Sequence, residues 1–257
     1  MANFVLVHGA WIGGWVWRDV AGRLRQAGHE VYTPTLTGLG ERVHLGHAGV
    51  NIDTHITDII NVMDYEDLQD VILVGHSYAA FVVQGVADRA PERLAGLVYL
   101  DSAPFPDGVG MFDLFSPEGR AETDRVIEDT GEGWKLPFPG IEQLGEQASL
   151  AGLDDRELEL MANRATPQPA ETFRQPVSVT REYDGGYTRT LIACTEDFLS
   201  IEVIEKGVAS GEPLFQSLAA SDWTFHEIHT GHWPMLSEPA ATCELLEQVA
   251  AGVQRSS

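Results

Sequence analysis

A serine between small residues is the side chain best placed to act as a nucleophile. Ser77 lies in the middle of Gly-His-Ser-Tyr-Ala at positions 75–79, between the apolar run 71–74 and a helical pattern. A strand, a Gly-x-Ser-x-small turn and a helix together predict a sharp turn that lifts the hydroxyl clear of a sheet. Gly75 meets the need for a small residue, and Ala79 meets it with one methyl where glycine is more usual. The pattern predicts a nucleophilic serine.

A serine hydroxyl needs a base to take its proton, and His232 stands where that base is expected. It is one of nine histidines, and it lies in a turn between the last predicted strand and the last predicted helix. The chain order serine, acid, histidine also fits a triad on this kind of sheet. His226, His229 and His232 are spaced closely enough to suggest a metal site, but residues three apart on a strand face opposite sides. We therefore expect a base and no metal.

The base needs an acid to fix its tautomer, and three acidic residues compete for this role. Asp197 follows the predicted strand 190–194 at its carboxyl end and precedes His232 in the chain. Asp101 ends the strand before it, and a carboxylate can reach the histidine from there too. Glu196 is the third candidate. The sequence favours Asp197 and leaves the other two open.

The oxyanion of a tetrahedral intermediate needs hydrogen-bond donors. Ala10 follows the first predicted strand, where such a fold places one backbone N–H. The second donor is expected from Tyr78, the residue after the nucleophile. We predict that the backbone N–H groups of Ala10 and Tyr78 form the oxyanion hole.

The elements around these residues alternate between short β-rich runs and helical periods, which predicts an α/β fold with a parallel sheet covered by helices. This alternation stops after position 103 and resumes near position 186. An insertion at the carboxyl end of a strand lies where open α/β sheets bind ligands. We predict a core of residues 1–103 and 186–257, with residues 104–185 as a cap after the fourth strand.

Aromatic residues in the cap and near the predicted base indicate an apolar substrate pocket. For any single one of them, a place in the core of the cap is the alternative. Our candidates for the pocket wall are Trp11, Ile12, Phe105, Trp134 and Trp233.

Composition limits the partners. Among 257 residues, 16 are Lys or Arg and 39 are Asp or Glu, a net charge of −23. That charge repels nucleic acid and anionic membranes, so we expect neither as a partner. Cys194 and Cys243 lie in apolar stretches without a close-spaced pair, and the N-terminus does not resemble a signal peptide. A reduced, cytoplasmic protein is the simplest expectation.

Several motifs together resemble one known family. They are positions 5–11, 13–17, 75–77, 194–197 and 231–236. They resemble the small α/β-hydrolases related to plant methyl esterases and hydroxynitrile lyases. The resemblance implies an α/β-hydrolase fold with a six-stranded, mostly parallel sheet and a helical cap. It also implies no cofactor, commonly a homodimer, and Ser77, Asp197 and His232 as the triad.

Two positions separate hydrolysis from lyase chemistry within that family. The lyases resemble this chain but carry a threonine at the position of Gly9 and a lysine at the position of Trp233. The lysine supplies positive charge to a leaving cyanide, so its absence favours hydrolysis. We expect a serine hydrolase that cleaves a small apolar or aromatic carboxylic ester through an acyl-enzyme, with an amide or carbamate left open.

Two alternatives to that function remain. One is a carbon–carbon lyase of the hydroxynitrile lyase type. The other is a non-catalytic small-ligand binder, which the complete triad disfavours.

Overall fold

A computed structural model describes residues 1–181, 183, 186–220 and 222–256. Its strands are β1 (Asn3–Val7), β2 (Glu30–Tyr32), β3 (Val71–His76), β4 (Leu94–Leu100), β5 (Lys135–Leu136), β6 (Gln168–Pro169), β7 (Thr188–Cys194) and β8 (Trp223–Ile228). Six of them form one sheet in the order β2-β1-β3-β4-β7-β8. Each neighbouring pair in that sheet is parallel. The predicted fold class is confirmed.

The central strands are apolar along their length because both faces of the sheet are covered. All six residues of β3 are buried. The strand is longer than the predicted run 71–74, since Gly75 and His76 still pair with Tyr99 and Leu100 of β4. This extension brings β3 to the point where the nucleophile follows it directly.

Helices cover both faces of this sheet. Their bounds are α1 (Arg18–Gln26), α2 (Ile52–Tyr65), α3 (Ala79–Arg89), α4 (Pro117–Thr130), α5 (Ile141–Gln147), α6 (Asp155–Arg164), α7 (Glu171–Arg174), α8 (Ile201–Ser210), α9 (Pro234–Ser237) and α10 (Pro239–Ser256). Helices α2 and α3 pack with Val5 and Val7 on one face, whereas α1 and α10 pack with Phe4 and Leu6 on the other. Alternate residues of β1 therefore belong to two hydrophobic cores, one on each face of the sheet.

The segment between β4 and β7 contains α4–α7 and a two-stranded antiparallel pair, β5 with β6, which the sequence did not predict. It is joined to the rest of the chain near Trp11, whose carbonyl accepts from the backbone N–H of Thr166 at 2.8 Å. The predicted cap boundary at residue 185 lies outside the described residues, and the division into core and cap stays a prediction. In the described part of the chain, no helix is long and apolar enough to cross a membrane.

Close packing of α2 against α3 depends on a glycine. A Cβ added at Gly85 would lie 2.3 Å from Ile56 Cδ1. We expect Gly85→Ala to lower the free energy of unfolding by roughly 1–2 kcal/mol, because overpacking outweighs the gain in helix propensity. Urea denaturation followed by circular dichroism measures this.

The matched control is Gly22→Ala in α1, where no atom lies within 4 Å of an added Cβ. It should raise the free energy of unfolding by about 0.5–1 kcal/mol. Equal stabilisation by both substitutions would show that α2 and α3 are not packed this closely.

Candidate active site

Ser77 sits in a strained turn between β3 and α3. Its φ is 54°, in the left-handed region that non-glycine residues rarely adopt. Its N–H donates to the carbonyl of Leu100 at 3.2 Å, which ties the turn to β4. A Cβ on Gly75 would lie 2.7 Å from a methyl of Val83 and 2.9 Å from the carbonyl of Ala79. Only glycine fits there, as the elbow pattern requires.

The loop after β1 lies against this elbow. A Cβ on Gly9 would lie 2.9 Å from Nδ1 of His76 and 3.3 Å from Cβ of Ser77. Both Ala10 and Ser77 line the same cavity. Within the described residues, neither the Ala10 N–H nor the Tyr78 N–H donates to another protein group. Two free donors beside the serine are what an oxyanion hole needs.

The loop after β1 is fixed in place by groups from the β4–β7 segment. The Trp11 N–H donates to Oε1 of Gln168 at 3.0 Å, and the indole N–H donates to the carbonyl of Leu136 at 3.2 Å. Gln168 is fully buried and also donates to Oγ1 of Thr172 at 2.7 Å. Sequence reasoning missed Gln168, because nothing in its local pattern shows that it reaches a loop more than 150 positions away.

The loop that carries His232 is held by residues 149–151. The N–H of Gly231 donates to the carbonyl of Ala151 at 3.1 Å, and the N–H of His232 donates to the carbonyl of Ser149 at 2.9 Å. A Cβ on Gly231 would lie 2.4 Å from the Ser149 carbonyl oxygen. This glycine therefore allows the close approach that positions the imidazole.

His76 supports the same loop and is not placed as a base. Its Nε2 lies 2.7 Å from the carbonyl oxygen of His232. Burial, and then the neighbouring His232, hold the pKa of His76 well below its usual range. His76 thus stays neutral and donates its Nε2–H to the loop.

Two carboxylates reach Nδ1 of His232. Oδ2 of Asp101 lies 2.6 Å from it, and Oδ2 of Asp197 lies 2.9 Å from it. Asp101 Oδ1 accepts from the backbone N–H of Cys194 at 2.9 Å, and Asp197 Oδ1 accepts from that of Ser149 at 2.9 Å. The sequence treated these acids as rivals, but the structure brings both to the base.

The third candidate acid, Glu196, lies apart from the base. It is exposed, and its carboxylate lies 3.8 Å from His229 Nε2.

The charges in this cluster shift each other's ionisation. Burial opposes the charged form of His232, but the hydrogen bonds to Asp101 and Asp197 outweigh it and raise the pKa of His232 to about 9. Burial raises the pKa of Asp101. Burial also opposes ionisation of Asp197, yet the contacts with His232 and Asp101 bring its pKa well below the usual value. The two acids are therefore not equivalent.

A cavity of about 620 Å³ opens over Ser77 and His232. Of the predicted wall residues, Trp11, Ile12 and Trp233 line it. Phe105 stacks on Phe81, with ring centroids 4.3 Å apart, and lines a separate cavity of about 430 Å³.

The fifth predicted wall residue, Trp134, is not part of the lining of the 620 Å³ cavity. The Lys135 ammonium lies 5.3 Å from its ring centroid. The aromatic lining of the cavity comes instead from Phe115, Phe138 and Phe198, together with the two tryptophans.

Comparisons with known proteins agree with this fold. The family model described as alpha/beta hydrolase family matches residues 4–245. The chain belongs to the α/β-hydrolase family. A carbendazim hydrolyzing esterase from Nocardioides sp. (strain SG-4G) is 58% identical over 185 residues, which cover 69% of this chain and 73% of that protein.

More distant relatives align with nearly the whole length of this chain. Methylesterase 3 of Arabidopsis thaliana is 28% identical over 268 residues, or 96% of this chain and 95% of that protein. An extracellular α/β-hydrolase from a Paenibacillus species has a similar fold, with a TM-score of 0.81 at 24% identity over 97% of this chain and 99% of that one. The resemblance to plant methyl esterases is confirmed, and this α/β-hydrolase is a hydrolytic enzyme with esterase relatives.

Removing the Gln168 side-chain amide should lower kcat by more than the accompanying loss of stability explains. In Gln168→Met the Trp11 N–H loses its acceptor, so the neighbouring Ala10 N–H shifts. We expect kcat on p-nitrophenyl acetate to fall about 10- to 100-fold, since misplacing a single oxyanion donor has effects of that order.

Thr172→Val is the comparison variant: it removes the other partner of Gln168 and a contact with the Tyr78 side chain, and it leaves the Trp11 contact intact. Both variants should lose about 1–3 kcal/mol of stability, but Thr172→Val should keep kcat within about twofold if only the loop matters. If Gln168→Met and Thr172→Val lowered kcat equally, the hydrogen bond from Gln168 to the Trp11 N–H would have no separate role in catalysis.

Proposed function

We propose that this α/β-hydrolase is a serine hydrolase that cleaves uncharged esters of small apolar or aromatic molecules, including methyl carbamates. Ser77 attacks the carbonyl carbon, His232 accepts the hydroxyl proton and passes it to the leaving group, and Asp197 orients the imidazole. Water then cleaves the acyl-enzyme with His232 as base. Ala10 and Tyr78 donate their backbone N–H groups to the oxyanion.

One observation carries this proposal. A left-handed serine after a buried strand shares a cavity with a histidine whose Nδ1 is bound by a carboxylate. That combination supplies nucleophile, base and orienting acid at one place, and two free backbone N–H groups lie beside it.

The cavity wall supports an uncharged substrate. Five aromatic side chains line it, and among the described residues on its wall there is no lysine or arginine. Asp101, Glu122 and Asp197 contribute only negative charge there, and the chain as a whole carries −23. An anionic substrate would meet repulsion from these carboxylates, and the charge of a protonated His232 is already paired with Asp101 and Asp197.

The relatives support the ester and carbamate class. They include a carbendazim hydrolyzing esterase and methylesterases. Carbendazim is a neutral methyl carbamate on a flat benzimidazole ring, and a methyl ester differs from it in having carbon in place of nitrogen beside the carbonyl. Both pass through the same kind of tetrahedral intermediate, so one site suits both.

The lyase alternative fits the wall less well. Trp233 occupies the position of the lyase lysine and lines the cavity. At the position of the lyase threonine, a Cβ on Gly9 would lie 2.9 Å from His76 Nδ1. The described wall has no lysine or arginine and His232 is paired with two carboxylates, so an expelled cyanide lacks the positive charge that the lyase lysine supplies.

The proposal predicts one modified residue and a matching loss of activity. A serine-directed aryl phosphonate should label the protein once, at Ser77, in step with loss of p-nitrophenyl ester turnover. Ser77→Ala should lower kcat by about a million-fold, as removal of a triad nucleophile does. Carbendazim or a neutral aromatic methyl ester should slow the labelling. The same aromatic methyl ester with an ionised carboxylate elsewhere on its ring should not.

Mass spectrometry of the digested adduct locates the label. Ser102→Ala serves as the control, because Ser102 is a buried serine next to Asp101 in the chain and is not part of the cavity lining. This variant should still be labelled at Ser77. A folded protein that takes no label at Ser77 would contradict the proposal.

A further inference from the structure

Two carboxylates face a single ring nitrogen of His232, which is one more than a triad requires. Their Oδ2 atoms lie 2.6 Å (Asp101) and 2.9 Å (Asp197) from Nδ1. Only 1% of the Asp101 side chain and 6% of the Asp197 side chain are exposed. Nδ1 carries one hydrogen, and two buried negative charges this close repel each other. The cluster therefore has room for a further proton.

The backbone commits Asp101 to this contact. Ser77 and Asp101 each follow a residue of the register pair His76 and Leu100, so they lie side by side at the ends of β3 and β4. Asp101 is also left-handed, with φ 45°, a conformation that aspartate and asparagine tolerate better than most residues. Its second oxygen is held by the Cys194 N–H. Its side chain is therefore fixed at both oxygens.

The other groups around the cluster add no opposing charge. From the end of β3, the His76 ring lies with its centroid 4.8 Å from that of His232, and burial keeps this ring neutral. From β7, Cys194 contributes a backbone N–H and a thiol that stays neutral, because burial and the two carboxylates raise its pKa. From the segment between α5 and α6, Ser149 contributes another to Asp197. The charge on His232 is therefore set by the two acids.

We propose that Asp101 is a second positioning residue for His232, which shares with Asp197 the orientation of the imidazole and the stabilisation of the imidazolium. This rests on the proposed function, in which His232 is the base. Asp101, Asp197 and His232 together then bind one proton more than a one-acid triad. The additional proton lies on Asp101, where burial raises the pKa of the carboxyl, and it leaves before the proton of the imidazolium. The last proton lies on His232, whose pKa the two carboxylates raise to about 9, and the imidazole becomes a free base when that proton leaves.

The test compares Asp101→Asn, Asp197→Asn and the double variant. Asparagine suits position 101, because it tolerates the left-handed backbone and its oxygen can still accept from Cys194. Each single variant should lose about 100-fold or less in kcat, because the remaining carboxylate still fixes the tautomer. The double variant should lose about 10⁴-fold, the effect of an absent triad acid.

Rates are expressed per folded protein, with the folded fraction taken from circular dichroism, so unfolded protein does not enter them.

The pH profile separates a charge effect from a structural one. The kcat/KM of the unmodified protein should show two ionisations, one of them in the alkaline range with activity rising through it. Asp101→Asn should show a single ionisation, because the extra proton has lost its place. A residue that merely supports the fold would lower kcat/KM at every pH without removing an ionisation.

Glu196→Gln is the matched control. It removes the same charge from the loop beside Asp197, and its exposed carboxylate does not touch His232. Its kcat and its two ionisations should match those of the unmodified protein.

Three outcomes would overturn the sharing of this role. Asp197→Asn could lose the full 10⁴-fold while Asp101→Asn keeps both ionisations, or Asp101→Asn alone could lose the full amount. The three side chains could also hold a metal ion, because one nitrogen or oxygen atom from each lies within 4.8 Å of the others. If EDTA abolished the activity and Zn²⁺ restored it, the cluster would be a cation site instead. Failure of the phosphonate to label Ser77 in the unmodified protein would overturn the proposed function itself.

Discussion

Three neighbouring strand ends meet at the cavity, and each leads into a residue with a left-handed backbone. Trp11 follows β1 with φ 60°, Ser77 follows β3 with φ 54°, and Asp101 follows β4 with φ 45°. Such a conformation costs a non-glycine residue about 1–2 kcal/mol, and it persists only where the surroundings hold it. Here the surroundings are the sheet register and the hydrogen bonds of Leu100, Ile192 and Gln168. These three strained turns direct Trp11, Ser77 and Asp101 to the wall of the same cavity.

Glycines make this convergence sterically possible. Gly9 and Gly75 let the loop after β1 and helix α3 approach the elbow, and Gly231 lets the histidine loop lie against residues 149–151. The segment between β4 and β7 therefore supplies more than a cover for the cavity. It holds the loop after β1 through Gln168 and the histidine loop through Ser149 and Ala151. A change in that segment can alter catalysis without touching a substrate.

The sequence predicted the parts of the site whose signals are local. The elbow around Ser77, the strand runs and the turn at His232 each depend on neighbours in the chain, and the structure brings these residues to one cavity. Gln168 and the pairing of Asp101 with Asp197 depend on contacts between distant segments, which no local pattern contains. Phe105 and Trp134 were proposed for the wall on composition alone, and composition does not tell which face of a loop meets the cavity. The β5–β6 pair was not predicted, because its two short strands come from distant parts of the segment between β4 and β7.

If strained strand ends place Ser77 beside an oxyanion hole, a crystal structure of the phosphonate adduct should show it. We expect a bond from Ser77 Oγ to phosphorus. We also expect a phosphonyl oxygen within about 2.7–3.1 Å of the backbone nitrogens of both Ala10 and Tyr78. A phosphonyl oxygen directed away from these two N–H groups, with the serine turn relaxed to an ordinary backbone conformation, would contradict it.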